Sequence, residues 1–358
     1  MLFTLTVLSP VYGAPEVPAG LCINNLNCSD VDLTPANYNP GYYYSVGQSS
    51  AKDAFSELAN LAEFKGGKRI YRWKDIEPVK GQYDFTKIEE DLNYLKSIGK
   101  QLWIQIFYTQ FSGNGTPHVP SYMWNDPSYG CGPDYYGAYK RNTSGGGWIP
   151  CWWNKNVSDR LVALFTALGN RFNSEPNVEG ITAGETAINT AAAKLVPTYN
   201  VQAVIDTYKA KALAAKKAFP NKIVFQYINF APFDLAPFAE WLAQNKIGIG
   251  GPDVRLSNSF LLETVYPLYI KYHDQVVTGQ DIQWGNYDEI NKFLGRPNTP
   301  EELLLGAIEK TNPSYIFVHK RDPYFYQVNN GILPSIRKYG QPPAAQKYYE
   351  NNNSLPTQ

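Results

Sequence analysis

The chain is predicted to fold as one α/β domain: a closed (β/α)8 TIM barrel with a long, disulfide-stapled aromatic loop after strand three. Three observations predict it. The length, 358 residues, exceeds the usual size of an open sheet domain and suits a single closed barrel. Short apolar runs alternate with amphipathic segments, the pattern of repeated βα units, and eight such repeats can be counted. The run Gly180-Ile181-Thr182-Ala183-Gly184-Glu185-Thr186 ends abruptly in one carboxylate, where a fourth barrel strand would open onto the face that carries chemistry in this architecture.

In chain order, strands are expected at 42–46, 69–73, 102–108, 180–184, 223–228, 250–255, 275–278 and 315–319, each an apolar or β-branched run bounded by turn residues. Helices are expected at 51–64, 85–98, 158–172, 201–219 and 300–310. The last opens on Pro300-Glu301-Glu302, a good helix start. The sixth strand and its helix have the weakest pattern. The barrel is expected to span 15–345, preceded at 1–14 by a signal-peptide remnant and followed at 346–358 by a disordered, Asn-rich tail.

Residues 1–13 form an apolar run ending in small residues before Ala14-Pro15, like the core and cleavage region of a secretory signal but without its usual Lys or Arg. No later stretch of 18 apolar residues offers a membrane span. Secretion is therefore expected. The four cysteines allow three connectivities, and local pairing of Cys22 with Cys28 and of Cys131 with Cys151 is the simplest. Four N-x-S/T sequons, at Asn27, Asn142, Asn156 and Asn352, permit glycosylation.

Formal net charge is zero, with no basic or acidic block, so nothing favours nucleic acid or an anionic membrane as partner. A neutral partner fits better, and a monomer is expected. Aromatic residues make up 15% of the chain, including 27 Tyr, a composition that suits stacking on flat ligand faces. The insertion at 109–156 carries Trp124, Tyr135, Tyr136, Trp148, Trp152 and Trp153, and reads either as one wall of a ligand groove or as a self-packed cap. The three histidines, His118, His273 and His319, lack metal-ligand spacing, so no metal or other cofactor is expected. Gly145-Gly146-Gly147 follows no strand and lacks the Lys of a phosphate loop, and no G-x-S-x-G elbow is present.

The segment Trp73-Lys74-Asp75-Ile76-Glu77-Pro78-Val79-Lys80-Gly81-Gln82-Tyr83-Asp84-Phe85 resembles the W..(I/L)EP..G.YDF segment of clan A glycoside hydrolases, which include barrel-type β-galactosidases. In that clan it follows strand two and leads into helix two, as the element count places it here. The resemblance implies a carbohydrate substrate and an acid/base Glu at the end of strand four, which is Glu185. Two departures stand out. The clan usually has Asn before that Glu, where this chain has Gly184. It also has a nucleophilic Glu on strand seven, whereas this chain reads Gln275-Val276-Val277-Thr278-Gly279-Gln280-Asp281-Ile282-Gln283-Trp284.

Asp281 is the nearest carboxylate to that missing Glu, as nucleophile or as a base that positions water. Asp253, in a Gly-Gly-Pro-Asp turn, is its rival. Carboxylates roughly 5 Å apart would indicate a retaining enzyme and roughly 6.5–9.5 Å an inverting one. Gln105, Tyr108, Gln226, Tyr227, Gln280 and His319 fall near strand ends, where amide, phenol and imidazole groups suit hydroxyl recognition. Trp284, Tyr44 and Trp152 are candidate stacking faces, and Glu77 is either a substrate contact or a structural anchor. His319 stands where the clan often has Trp. The expected function is a secreted glycoside hydrolase. A non-catalytic carbohydrate-binding barrel, and a hydrolase of another clan pairing Glu185 with Asp253, are the alternatives.

Overall fold

Eight parallel strands close into a barrel in the computed structural model, which describes residues 12–13, 38–113, 115–132, 135–140 and 145–346. They are β1 (Gly41–Ser45), β2 (Phe64–Arg72), β3 (Gln101–Phe107), β4 (Val178–Glu185), β5 (Ile223–Tyr227), β6 (Gly248–Gly251), β7 (Thr278–Ile282) and β8 (Tyr315–His319). Each pairs with its successor, and β8 closes on β1 in the register His319 to Ser45. Main helices are α1 (Thr86–Ser97), α2 (Lys155–Phe172), α3 (Val201–Ala218), α4 (Leu235–Gln244), α5 (Tyr266–Tyr272), α6 (Pro300–Thr311) and α7 (Ile332–Tyr339). The signal-like segment, the Cys22/Cys28 pair, the sequons at Asn27, Asn142 and Asn352, and the tail lie outside the described residues, apart from Tyr12, Gly13 and Gln346.

Aromatic side chains fill the barrel. Tyr43, Trp103, Phe225, Tyr315 and Phe317 are fully buried in one cluster, with Trp103 stacked on Phe225 at 5.0 Å between ring centres. Glycines make the room: a Cβ on Gly248 or Gly279 would stand 2.5 or 2.4 Å from the Phe225 ring. This large-against-small pairing keeps the interior a packed core rather than a pore. The floor is polar but satisfied. Glu179 accepts from Asn39 N at 2.6 Å, Asn39 Nδ2 at 2.9 Å and the Tyr315 hydroxyl.

The expected helix α6 is present with its cap: Thr299 Oγ1 accepts from Glu302 N at 3.1 Å, and Glu302 reaches back to Thr299 N at 2.8 Å. Other expectations need correction. Residues 51–64 hold only a 3-10 turn, Ser56–Asn60, because β2 starts at Phe64, five residues earlier than its pattern suggested. Lys65-Gly66-Gly67-Lys68 looks unlike a strand, yet the Gly66 backbone lies against Gln101 O and the Tyr43 ring, where a Cβ would not fit. The sixth and seventh strands sit at 248–251 and 278–282, shifted by two and three residues from the expected runs. Their Gly and polar residues find partners that the sequence does not announce.

The loop after β3 is pinned by a Cys131–Cys151 disulfide and contains two short hairpins, Gly130–Gly132 with Tyr135–Tyr136 and Ala138–Lys140 with Trp148–Pro150. Its aromatic residues mostly pack on one another or on the barrel, as in Trp153 with Tyr139 and Tyr199. The self-packed cap describes it better than the groove wall.

Candidate active site

A break in β4 builds the site. The register with β5 slips between Thr182 and Glu185, and Gly184 in that slip has φ +77. Such a bulge re-aims the side chain that follows it. Any Cβ at Gly184 would also lie 2.1 Å from the Tyr108 hydroxyl. Gly is therefore dictated by conformation and space at the position where the resembled clan has Asn.

The carbonyls freed by the bulge are held from outside the barrel. Lys211 Nζ, on α3, donates to Ala183 O at 2.6 Å and to the Tyr108 hydroxyl, which itself donates to Ala183 O. Gln226 Nε2 donates to Gly184 O at 2.8 Å. Lys211 is fully buried and lies over the Tyr208 ring at 4.4 Å. Burial lowers its pKa well below the ordinary Lys range, against the opposing pull of Glu185.

Glu185, 9% exposed, points into a cavity of about 320 Å³ at the mouth, lined also by Gln105, Phe107, Gln283, Trp284 and His319. Its Oε2 accepts from Asn229 Nδ2 at 2.6 Å, and Asn229 is oriented in turn by Thr186. Burial is the main reason the Glu185 pKa rises to about 8, and the charges of Asp253 and Asp281 add to it against the Asn229 hydrogen bond. At neutral pH the carboxyl is mostly protonated. His319 is pushed the other way, to about 3, chiefly by burial and further by Lys68, so its imidazole is neutral. Gln105 Oε1 and His319 Nε2 are buried without a hydrogen-bond partner among the described residues, which marks them as groups awaiting one.

Asp281 lies below this cavity, fully buried. Both its oxygens accept from Lys68 Nζ, at 2.7 and 2.6 Å, and Lys68 also donates to the Tyr227 hydroxyl at 2.8 Å. Burial raises the Asp281 pKa to about 6 while Lys68 opposes the rise. Asp253, at the rim after β6, keeps 22% of its side chain exposed and faces Arg255 at 3.8 Å. Its pKa is raised by burial. Glu185 at the mouth thus has three ionisable neighbours: Asp253 at the rim, and the buried Asp281 and Lys68 inside the barrel.

Several expected substrate contacts belong to the scaffold. Gln226 Nε2 donates to Gly184 O and Tyr227 O, and Gln280 Nε2 to Gly251 O, Asp253 O and Asp281 O, while the two side-chain oxygens have no partner among the described residues. Both residues alternate with inward-facing neighbours and so face the helices. Tyr44 faces away from this cavity, its hydroxyl donating to Glu57 Oε2 at 3.1 Å, and lines a neighbouring one. Tyr108 and Trp152 pack edge-to-face at 4.9 Å, buried beneath the bulge. Tyr227 holds Lys68 inside the barrel. Glu77 has no exposed surface: it pairs with Arg160 and accepts from Trp73 Nε1 at 2.8 Å, Gly81 N at 2.9 Å and the Tyr122 hydroxyl at 3.0 Å. The motif segment is an anchor for the loop after β2.

Brought together at the cavity are Glu185, Gln105, Trp284 and His319, with Asp253 and Asp281 as charged neighbours. Lys68, Lys211, Asn229 and Gln283 escaped the sequence reading. An inward period-2 count from Ile70 would have flagged Lys68, and the Asn two residues past β5 was visible as a polar group at a strand end. No group of acidic, His and Cys side chains suited to a metal ion occurs among the described residues, nor does a helix long and apolar enough to cross a membrane.

The barrel is similar to solved structures. The catalytic domain of β-amylase from Paenibacillus polymyxa superposes with a TM-score of 0.59 over 85% of this chain and 99% of that one, at 11% identity. Endo-glycoceramidase II from Rhodococcus sp. gives 0.49 over 80% and 75%, at 10% identity. The likeness to the β-amylase domain, at 11% identity, shows a shared fold alone. No protein-family model and no curated protein sequence matches the chain.

Proposed function

We propose that this chain is a glycoside hydrolase acting outside the cell on a neutral poly- or oligosaccharide, with Glu185 as the acid that protonates the departing glycosidic oxygen. One observation carries the reading: a carboxyl kept protonated near neutral pH, aimed into a cavity where Gln105 Oε1 and the neutral His319 Nε2 are buried without partners among the described residues. Such a set suits sugar hydroxyls and supplies a proton where a leaving alkoxide needs one. Resemblance of the Trp73–Phe85 segment to clan A supports the hydrolase class, though not the choice of second carboxylate, and the Cys131–Cys151 disulfide fits an oxidising compartment.

Hydrolysis needs a second carboxylate, ionised, to take the proton of the attacking water. Asp253 suits this role better than Asp281, because it retains exposure at the rim and its charge is the largest electrostatic influence on Glu185 after burial. In the proposed reaction water attacks the anomeric carbon and gives its proton to Asp253, while the glycosidic bond breaks and its oxygen takes the Glu185 proton. Asp281, with both oxygens on Lys68, contributes charge from below. Were Asp281 itself to attack, Lys68 would have to release one oxygen.

A second reading, a glycan-binding barrel without catalysis, is favoured by Gln283: the cavity-lining residue just past β7 is a neutral amide. Reducing-sugar release from a panel of neutral polysaccharides decides between the two. Activity in the wild type, lost in Glu185→Gln and in Asp253→Asn, supports the hydrolase. Loss in Asp281→Asn with Asp253→Asn still active moves the second role to Asp281. Binding without release supports the second reading.

A further inference from the structure

A second cavity, of about 440 Å³, adjoins the first on the side of β1 and β8. Val46, Trp284 and His319 line both, so the two form one continuous depression of the size range used by small-molecule sites, roughly 300–1,000 Å³. Neither the expected acid nor its partners line the second cavity. We propose that it is a further sugar subsite, so that the substrate is an uncharged glycan of more than one residue running from Glu185 across Trp284 into the depression beyond the C-terminal ends of β1 and β8. This rests on the glycan reading above and gives it a direction and a charge preference.

Unsatisfied polar groups point to an occupant. Ser45 is 2% exposed and lines the second cavity, yet its Oγ has no hydrogen-bond partner among the described residues, and His319 Nε2 at the junction has none either. A buried hydroxyl and a neutral imidazole without partners are costly unless a ligand supplies them. Between the cavities Trp284 is 58% exposed, an unusual position for the largest side chain. The Arg321 guanidinium lies 3.8 Å from its ring centre and donates to Trp284 O at 2.6 Å, fixing the indole as a platform. A ring held in this way suits the apolar face of a pyranose.

The lining sets the charge. Asp53 and Glu57 are acidic, Lys320 is already held by Glu57 at 2.5 Å and Asp322 at 3.5 Å, and Arg321 against Trp284 is paired with Asp288. An anionic sugar would therefore meet carboxylates without a free counter-charge, whereas neutral hydroxyls find acceptors.

Ser49 lies on the wall of the second cavity, and Ser49→Trp would fill it. The measurement is kcat/KM for neutral gluco-, manno-, xylo- and chito-oligosaccharides of two to six residues and for their C6-carboxylate counterparts, with wild type and variant. The wild type should gain at least about tenfold from short to long neutral chains, and less for carboxylated ones. In Ser49→Trp that gain should vanish. The ratio of long to short is unaffected by a loss of folded protein, so a poorly folding variant still reports. If no oligosaccharide is hydrolysed, calorimetric binding of the same series carries the test: a length-dependent affinity lost in Ser49→Trp upholds the subsite although the hydrolase reading fails. Equal length dependence in the two proteins, a preference for carboxylated chains, or no binding by any series overturns it.

Discussion

Replacing Glu185 by Gln should make the protein more stable, by an amount that depends on pH, while lowering its activity on unactivated glycans. Burial and two neighbouring carboxylates raise the carboxyl from 4.5 to about 8. Below pH 4.5 the group is protonated in both folded and unfolded chains, and its contribution to stability is fully present. Between 4.5 and 8 the unfolded chain releases the proton and the folded one keeps it, so stability falls by about 1.4 kcal/mol per pH unit. By pH 7 the loss reaches roughly 3 kcal/mol, and it levels off above pH 8. Gln does not titrate, and its carbonyl oxygen can still accept the 2.6 Å hydrogen bond from Asn229. Urea unfolding at half-unit steps from pH 4.5 to 8.5 gives the difference between variant and wild type. Asp253 and Asp281 titrate in both proteins and cancel to first order. The difference should grow by about 3 kcal/mol toward pH 7. Parallel curves would mean that Glu185 is solvated and ionised, and the electrostatic description of the site would be wrong.

Lys68→Met strands the Asp281 carboxylate inside the barrel and should cost about 3–5 kcal/mol. Adding Asp281→Asn should restore much of it, as chemical denaturation of the single and double variants will show. Gly184→Ala forces a Cβ onto the Tyr108 hydroxyl at φ +77 and should cost about 1–3 kcal/mol. It should also lower kcat more than it raises KM, since it turns Glu185. Glu77→Gln breaks the buried pair with Arg160 and should lower stability by about 3 kcal/mol while leaving kcat/KM of the folded protein essentially unchanged. Activity against pH should fall as Glu185 loses its proton near 8.

The parts of the fold written in local pattern were legible. Tyr315–His319 reads as a buried strand from its β-branched and aromatic run, and Thr299-Pro300-Glu301-Glu302 announces its helix by capping chemistry alone. Glu185 stood out because a lone carboxylate closes an apolar run. Elements defined by partners elsewhere were not legible. Gly248-Ile249-Gly250-Gly251 is a strand because Phe225 and Tyr227 fill the space its glycines leave, and Thr278-Gly279-Gln280-Asp281-Ile282 is one because Lys68, 213 residues away, neutralises its charge. Period-2 alternation decided the fates of Gln226 and Gln280: once the strand register is known, both face the helices and serve the backbone. Gly184, where the resembled clan has Asn, is a conformational necessity of the bulge.

The central claim is that Glu185 delivers a proton to the leaving oxygen, and leaving-group dependence tests it most directly. With Glu185→Gln, kcat/KM should drop by about 10²–10⁴ on an unactivated oligosaccharide. It should drop far less on the matching 2,4-dinitrophenyl glycoside, whose phenolate leaves without protonation. Equal losses on the two substrates, or none on either, would contradict the assignment.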